Sequence, residues 1–248
     1  MKYKAALIII GDEILSGRTQ DTNLSYIALW LNKRGVQLAE TRVIPDEKNE
    51  IIIVVNEFRK KYQYVFTTGG IGPTHDDITS SSIAEAFKVD IEVNKEALEL
   101  LQLHYKNKNI DLNESRMKMA CIPKGATLIK NPISKAPGFK IDNVYVLAGV
   151  PYIMQGMLEG LDKDISGNEL MLSKTVKVNL PEGSIAKELS KIQLSYSDVK
   201  IGSYPYIEES GTLGVNIVAR HTDMTLIDEC VQAIVDYVKE IGGSANVS

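Results

Sequence analysis

The chain has 248 residues, 44% hydrophobic and 24% charged, the balance of an ordinary globular protein with room for one large domain or for one of common size plus a small one. A formal charge of −4 and a pI near 5.5 exclude a general binder of nucleic acid or of anionic membranes, which needs a basic surface, and no apolar run approaches a membrane span. Cys121 and Cys230 have no second Cys or His at ligand spacing, and fit reduced buried thiols better than a disulfide framework or a metal site. The start, Met1-Lys2-Tyr3-Lys4, lacks a leader's cleavage pattern, so the expected location is the cytoplasm.

In chain order, Ala5 to Ile10 is a continuous apolar run, as a parallel strand covered on both faces requires. It runs into the polar stretch Gly11 to Asn23. Ligands of open parallel sheets bind beyond the carboxyl ends of the strands, so Asp12 and Glu13 are candidate ligands or bases, and Arg18, Thr19 and Asn23 candidate holders of substrate polar groups. Asp21 or Thr22 caps a helix whose Leu24, Ile27, Ala28 and Leu31 follow helical spacing, and Gly35 stops it. Val36 to Ile44 reads as a second strand, with Pro45-Asp46 opening a helix through Phe58.

A third strand (Tyr64, Val65, Phe66) breaks into a turn at Gly69, Gly70 and Gly72, after which Thr74, Asp76 and Asp77 favour a helix start. Strand, glycine turn and helix start form an anion site: glycine admits a close backbone approach, and first-turn amides point at negative charge. A Walker A loop is excluded, because Gly72 is followed by Pro73-Thr74, and the dinucleotide GxGxxG pattern does not fit. Two acids at such a site repel an anion unless a divalent cation lies between them, so the stretch points to metal plus phosphate; a capped turn without ligand is the plainer alternative. Strand, helix, strand, helix, strand, helix in alternation predicts an α/β, doubly wound, mostly parallel sheet.

The helix after the turn continues beyond Ser82 through Phe87, and further helices are expected at Lys95 to Tyr105, with His104 at its surface or boundary, and Asn113 to Ala120, with core methionines. A loop with two prolines, Asn131 to Phe139, contains Lys135, a candidate to neutralise a substrate phosphate. Strands at Lys140 to Ile141 and Val144 to Leu147 precede the turn Gly149-Val150-Pro151 and a helix. Glu159 to Glu169 carries no apolar period and reads as a linker between a first domain (1–165) and a small α+β domain (170–248) of βαββα order. Its last helix is marked by Leu226, Cys230, Ala233, Ile234, Tyr237 and Ile241. Ser203 to Tyr206 and Arg220-His221 sit at strand ends, where they either lean toward the first domain or close a turn.

Gly11-Asp12-Glu13-Ile14-Leu15-Ser16-Gly17 with Asp21-Thr22-Asn23, followed by Thr67 to Thr79, resembles the MoaB/Mog molybdopterin-binding family. Within it, Asn131-Pro132-Ile133, Ala136-Pro137-Gly138-Phe139, Gly149-Val150-Pro151 and Ile201 to Pro205 are similar to the amino-terminal region of the CinA (competence/damage-inducible) proteins. The resemblance does not extend to the CinA carboxy-terminal deamidase part, so no deamidase activity is implied. It implies the same doubly wound fold and a divalent-metal-dependent pyrophosphatase that hydrolyses ADP-ribose or a related dinucleotide such as FAD. In that expectation Asp12, Asp76 and Asp77 are catalytic and hold the metal, which is Mg²⁺, Mn²⁺ or Co²⁺, with a monovalent cation as a further candidate. Gly69, Gly70, Gly72, Thr74, Asn23, Lys135 and Gly138 bind a small-molecule nucleotide substrate. A homodimer is expected, with neither nucleic acid nor membrane as partner. The alternatives are a molybdopterin-binding or adenylyl-transfer protein of molybdenum cofactor biosynthesis and a non-catalytic nucleotide-binding module.

Overall fold

The structure, a computed structural model, describes residues 3–167, 170–208 and 211–248. Two compact units, Met1–Asn168 and Glu169–Ser248, divide it. The first contains β1 (Lys4–Ile10), α1 (Asp12–Leu15), α2 (Asn23–Asn32), β2 (Gln37–Ile44), α3 (Lys48–Lys61), β3 (Tyr64–Thr68) and α4 (Thr79–Phe87). It continues through β4 (Ile91–Val93), α5 (Lys95–Asn107), α6 (Glu114–Met117), β5 (Cys121–Pro123), β6 (Thr127–Ile129), β7 (Gly138–Ile141), β8 (Val144–Leu147) and α7 (Pro151–Glu159).

The main sheet has the order β2-β1-β3-β8-β7-β6. Its first four strands run parallel, β7 pairs antiparallel with β8, and β6 pairs antiparallel with β7 and so runs with the first four again. Burial on both faces explains the unbroken apolar run of β1. Ala5, Leu7 and Ile9 pack beneath Ile27, Trp30 and Leu31 of α2 and Met154 and Met157 of α7, while Ala6, Ile8 and Ile10 pack on Ile51, Val55 and Phe58 of α3 and Ile83 of α4. Asp21 caps α2, its carboxylate accepting the Leu24 amide at 2.9 Å.

Three expectations need correcting. The helix after the glycine turn begins at Thr79 rather than at Asp76-Asp77, with Ile78 at its cap position and no side-chain cap. Residues 113–120 form α6 and a separate 3-10 turn, Lys118–Ala120. Residues 159–167 are not a free linker: Leu161 and Ile165 are buried in the first core, and the Gly167 amide donates to the Arg34 carbonyl at 2.7 Å. Only two apolar residues anchor that stretch, too few for a visible period; 168 and 169 lie outside the described residues.

The second unit contains β9 (Leu172–Val178), α8 (Glu182–Ser195), β10 (Lys200–Ile207), β11 (Leu213–His221), α9 (Met224–Glu240) and β12 (Ala245–Val247) in a sheet of order β10-β11-β9-β12. β12, which has too few residues to show a pattern, adds a strand to the expected βαββα order. Ser203 to Tyr206 lie within β10 rather than at a strand end, and they and the end of β11 serve this unit: Ser203 donates to Glu182, Arg220 donates to the Tyr204 hydroxyl at 2.9 Å, and the Asp223 amide donates to His221 Nδ1 at 2.9 Å. No helix among the described residues is long and apolar enough to cross a membrane.

On the edge strand β2, Glu40 accepts from Lys61 at 2.7 Å, from Arg42 at 2.8 Å and from the Tyr62 hydroxyl. Lys61, then Tyr62 and Arg42, hold its carboxyl down at about 2. A depressed folded value contributes stability that is present above the ordinary glutamate range and is lost as pH falls through the folded one. Glu40→Gln is therefore expected to lower the thermal midpoint by a few degrees at neutral pH, after allowance for solvent screening, and by nothing near pH 2. A midpoint difference that stays constant down to pH 2 would refute the assignment.

Candidate functional site

β1 connects to β2 on one side, while β3 lies on its other side, so a crevice opens beyond the carboxyl ends of β1 and β3. Gly11 to Ser16 leave β1 there, Pro45-Asp46 leave β2, Gly69 to Ile78 leave β3, and Ala148 to Val150 leave β8.

Carboxylates gather at three of these tips. The Gly11 amide extends the β1–β2 ladder by donating to the Ile44 carbonyl at 3.1 Å, and the next amide, that of Asp12, donates to Asp46 Oδ2 at 3.0 Å. Burial raises the Asp46 carboxyl above its ordinary range against the pull of that amide, and the charges of Asp12, Glu13 and Asp76 raise it further. Residues from β1, β2 and β3 thus share one negative field. Among the described residues no group of three or more His, Cys, Asp or Glu side chains converges as an ion-binding set.

Asp77 behaves differently from its neighbour. Its Oδ2 accepts the Thr74 amide at 2.7 Å and the Thr74 hydroxyl at 2.5 Å, so its carboxylate braces its own loop. Asp76 is exposed, and the Thr74 hydroxyl, its own amide, His75 and Lys118 hold its carboxyl below the usual range. The Thr74 hydroxyl thus bonds Asp77 while its dipole also favours the charged form of Asp76.

The glycines answer to the protein itself as well as to any ligand. Gly69 has φ 104, and a Cβ there would lie 2.1 Å from the Ile10 carbonyl oxygen; Gly70 has φ 67, and its Cβ would meet the Thr79 hydroxyl at 2.1 Å. That hydroxyl donates to the Gly69 carbonyl at 3.0 Å and the Thr79 amide to the Gly70 carbonyl at 3.0 Å, locking the turn onto the start of α4. Gly72 leaves space that the Asp77 carboxylate fills. Among the described residues the amides of Gly70, Ile71 and Gly72 donate no hydrogen bond, whereas that of Thr74, also expected to grip substrate, is taken by Asp77.

Three expected substrate residues also have structural engagements. Asn23 is buried, and its Nδ2 clasps the Gly149 carbonyl at 2.7 Å, tying the start of α2 to the β8–α7 turn. Gly138 opens β7, where a Cβ would meet the Val146 carbonyl at 2.2 Å and the Met157 methyl at 2.4 Å, so its lack of a side chain permits strand-helix packing. Lys135, in the left-handed region at φ 62, belongs to a turn organised by Asn131, which bonds Ser134 and Ala136. Burial, then Lys108 and Lys135, hold His104 of α5 below its ordinary value, so the Lys135 charge is felt there.

Two residues were missed. Asp46 reads as a helix opener in sequence, and only the parallel pairing of β1 with β2 carries it to Asp12. Lys118 hides in a segment read for its methionines; its Nζ donates to the Thr74 carbonyl at 2.7 Å and acts on Asp76. No local signal marks either.

Residues 6–165 match the family model described as "Probable molybdopterin binding domain", and residues 170–242 match "FAD synthase, middle domain". The chain is similar to a protein of Archaeoglobus fulgidus, 36% identical over 199 residues (80% of this chain, 84% of that protein). It is also similar to one of Sulfurisphaera tokodaii, 32% identical over 251 residues (97% and 95%). Among solved structures, one described as the protein CinA with unknown function, from Thermoplasma acidophilum, is 34% identical with a TM-score of 0.60, covering 65% of this chain and 97% of that one.

Proposed function

Because the chain belongs to the molybdopterin-binding domain family, with a CinA-like first unit, we propose that it hydrolyses the diphosphate bond of a nucleotide such as ADP-ribose or FAD with the help of a divalent cation. The observation that carries the proposal is that the loops leaving the neighbouring strands β1 and β3 at the switch point hold, among the described residues, three unengaged amides (Gly70, Ile71, Gly72) and the exposed carboxylates of Asp12 and Asp76, whose charges both act on Asp46. Unengaged loop amides suit phosphate oxygens, and the match of residues 170–242 to the middle domain of FAD synthase supports a nucleotide-related role.

The acidic tips fit a divalent cation by their chemistry. Their donors are hard oxygens, and the crowding that raises the Asp46 carboxyl is the field a cation relieves. Magnesium-like ions keep several waters and are held by one or two carboxylates plus substrate phosphates, so three converging protein ligands are not required. Asp12 and Asp76 hold the ion in this proposal, and Asp77 keeps the loop in shape. When bound, the cation neutralises the phosphoryl group under attack and makes its water a stronger nucleophile. The amides of Gly70 to Gly72 bind the non-bridging oxygens, and Lys118, one hydrogen bond from the loop, balances the charge of the leaving phosphate. Water adds to one phosphorus and the bridging P–O bond breaks, giving AMP and ribose 5-phosphate from ADP-ribose.

The test is incubation of the purified chain with ADP-ribose, FAD and ATP across Mg²⁺, Mn²⁺ and Co²⁺, following AMP release, with and without K⁺. No release from any substrate defeats the proposal. Adenylyl transfer to a pterin is the second possibility, favoured by the description of the matching family model; co-purified pterin fluorescence supports it. The homodimer belongs to the same proposal and is read by light scattering. Lys118→Ala is expected to raise KM for ADP-ribose about tenfold, with a smaller change in kcat and a weaker salt dependence. An unchanged KM removes Lys118 from the site.

A further inference from the structure

We propose that Asp46 is the positioning residue of this site: from the end of β2 it seats the turn that follows β1, and through that turn it fixes the carboxylates of Asp12 and Glu13. α1 is a single turn of four residues whose cap position, Gly11, has no side chain to offer, so its leading amides need acceptors from elsewhere. The Gly11 amide finds the Ile44 carbonyl, and the Asp12 amide finds Asp46 Oδ2, a carboxylate brought from 34 residues away. The remaining bonds of the turn are internal: Ile14 and Leu15 donate to the Gly11 carbonyl, Ser16 to that of Asp12 and Thr19 to that of Glu13. Such bonds hold the turn together without fixing its direction. Ile14 rests on the first core, and the polar ties that set the turn's orientation over the crevice are those of Gly11 and Asp12 to β2. Asp46 suits that role, because it is partly buried, follows a strand paired with β1 without interruption from Glu40 to Ile44, and is preceded by a proline that stiffens the exit from β2. One of its oxygens is committed to the Asp12 amide, so it acts through Asp12 rather than on the substrate.

The proposal rests on the hydrolase reading of the same site, and the experiment separates the two. Asp46→Ala and Asp46→Asn are made in the full chain, with far-ultraviolet circular dichroism and the thermal midpoint as checks on folding. Misplacing a catalytic group by about 1 Å costs on the order of 10²-fold, and loss of an orienting partner 10- to 100-fold. Asp46→Ala is expected to lower kcat for ADP-ribose about 10- to 100-fold with KM within about threefold. Asp46→Asn keeps an oxygen acceptor without the charge and is expected to restore kcat to within about fivefold of the parent chain. Hydrogen exchange at the Asp12 amide supplies the readout that needs no turnover: at least about tenfold faster in Asp46→Ala, unchanged in Asp46→Asn. Faster exchange in Asp46→Ala from a chain that turns over no diphosphate retires the reaction and keeps the positioning role. Unchanged exchange in Asp46→Ala, or an Asn variant as impaired as the Ala variant, overturns it.

Discussion

Asp12→Asn is expected to reduce metal-dependent hydrolysis of ADP-ribose by about 10²- to 10³-fold at saturating metal, while the thermal midpoint stays within a degree or two of the parent chain. The substitution is nearly isosteric. Its structural tie survives, because the bond to Asp46 is made by the Asp12 backbone amide and not by its side chain. What disappears is one negative charge at the point where β1 meets the crevice, and with it a hard anionic oxygen for the cation. Asp12 is exposed, so the fold does not depend on its carboxylate. The measurement is AMP release against metal concentration: a drop in turnover together with a rightward shift in metal dependence is the expected pattern. Turnover equal to the parent chain removes Asp12 from the mechanism, and a large loss of stability reassigns it to the fold.

Gly69→Ala is expected to destabilise the first unit by more than about 4 kcal/mol, enough to shift its thermal transition by roughly 10 °C or to prevent folding. Two costs add. At φ 104 the backbone lies where an L side chain is strained, and the new methyl would stand 2.1 Å from the Ile10 carbonyl oxygen, at the end of a strand whose neighbours hold it on both sides. Relief would need β1 and β3 to part at their tips, unmaking the crevice. Gly17→Ala is the control, because Gly17 also has positive φ, at 71, but nothing lies within 4 Å of its Cβ position. Conformational strain alone predicts about 1 kcal/mol there. If the two substitutions cost the same, packing beneath Gly69 is not what demands the glycine.

That pair also shows how one motif can answer to more than one cause. The glycine turn at 69–72 is visible as strand ending, glycines and acids, but glycine is equally required by a ligand or by a neighbouring carbonyl, and the letters do not distinguish them. Gly69 and Gly70 are demanded by Ile10 and Thr79, and Gly138 by Val146 and Met157. Asp76 and Asp77 are adjacent and chemically alike, yet one faces solvent beside Lys118 and the other folds back on Thr74. Adjacent carboxylates leave a loop in different directions, and the direction follows from backbone dihedrals that no composition rule supplies.

Local order is what the amino-acid sequence determined by itself. The apolar run of β1, the helical spacing of α2 and α9, and the alternation of strands with helices are written in near neighbours, because burial on two faces, on one stripe, or at a turn each demands its own short pattern. From that alternation the doubly wound sheet followed, and from the sheet the end at which open parallel sheets present their crevice. Only the tertiary structure decided which residues meet there. Asp46 reaches Asp12 across 34 positions and Lys118 reaches Thr74 across 44, through strand order and the packing of an inserted segment. Such encounters depend on how whole elements settle against one another, so the same polar letters become a site, a clasp or a brace according to what the fold brings beside them.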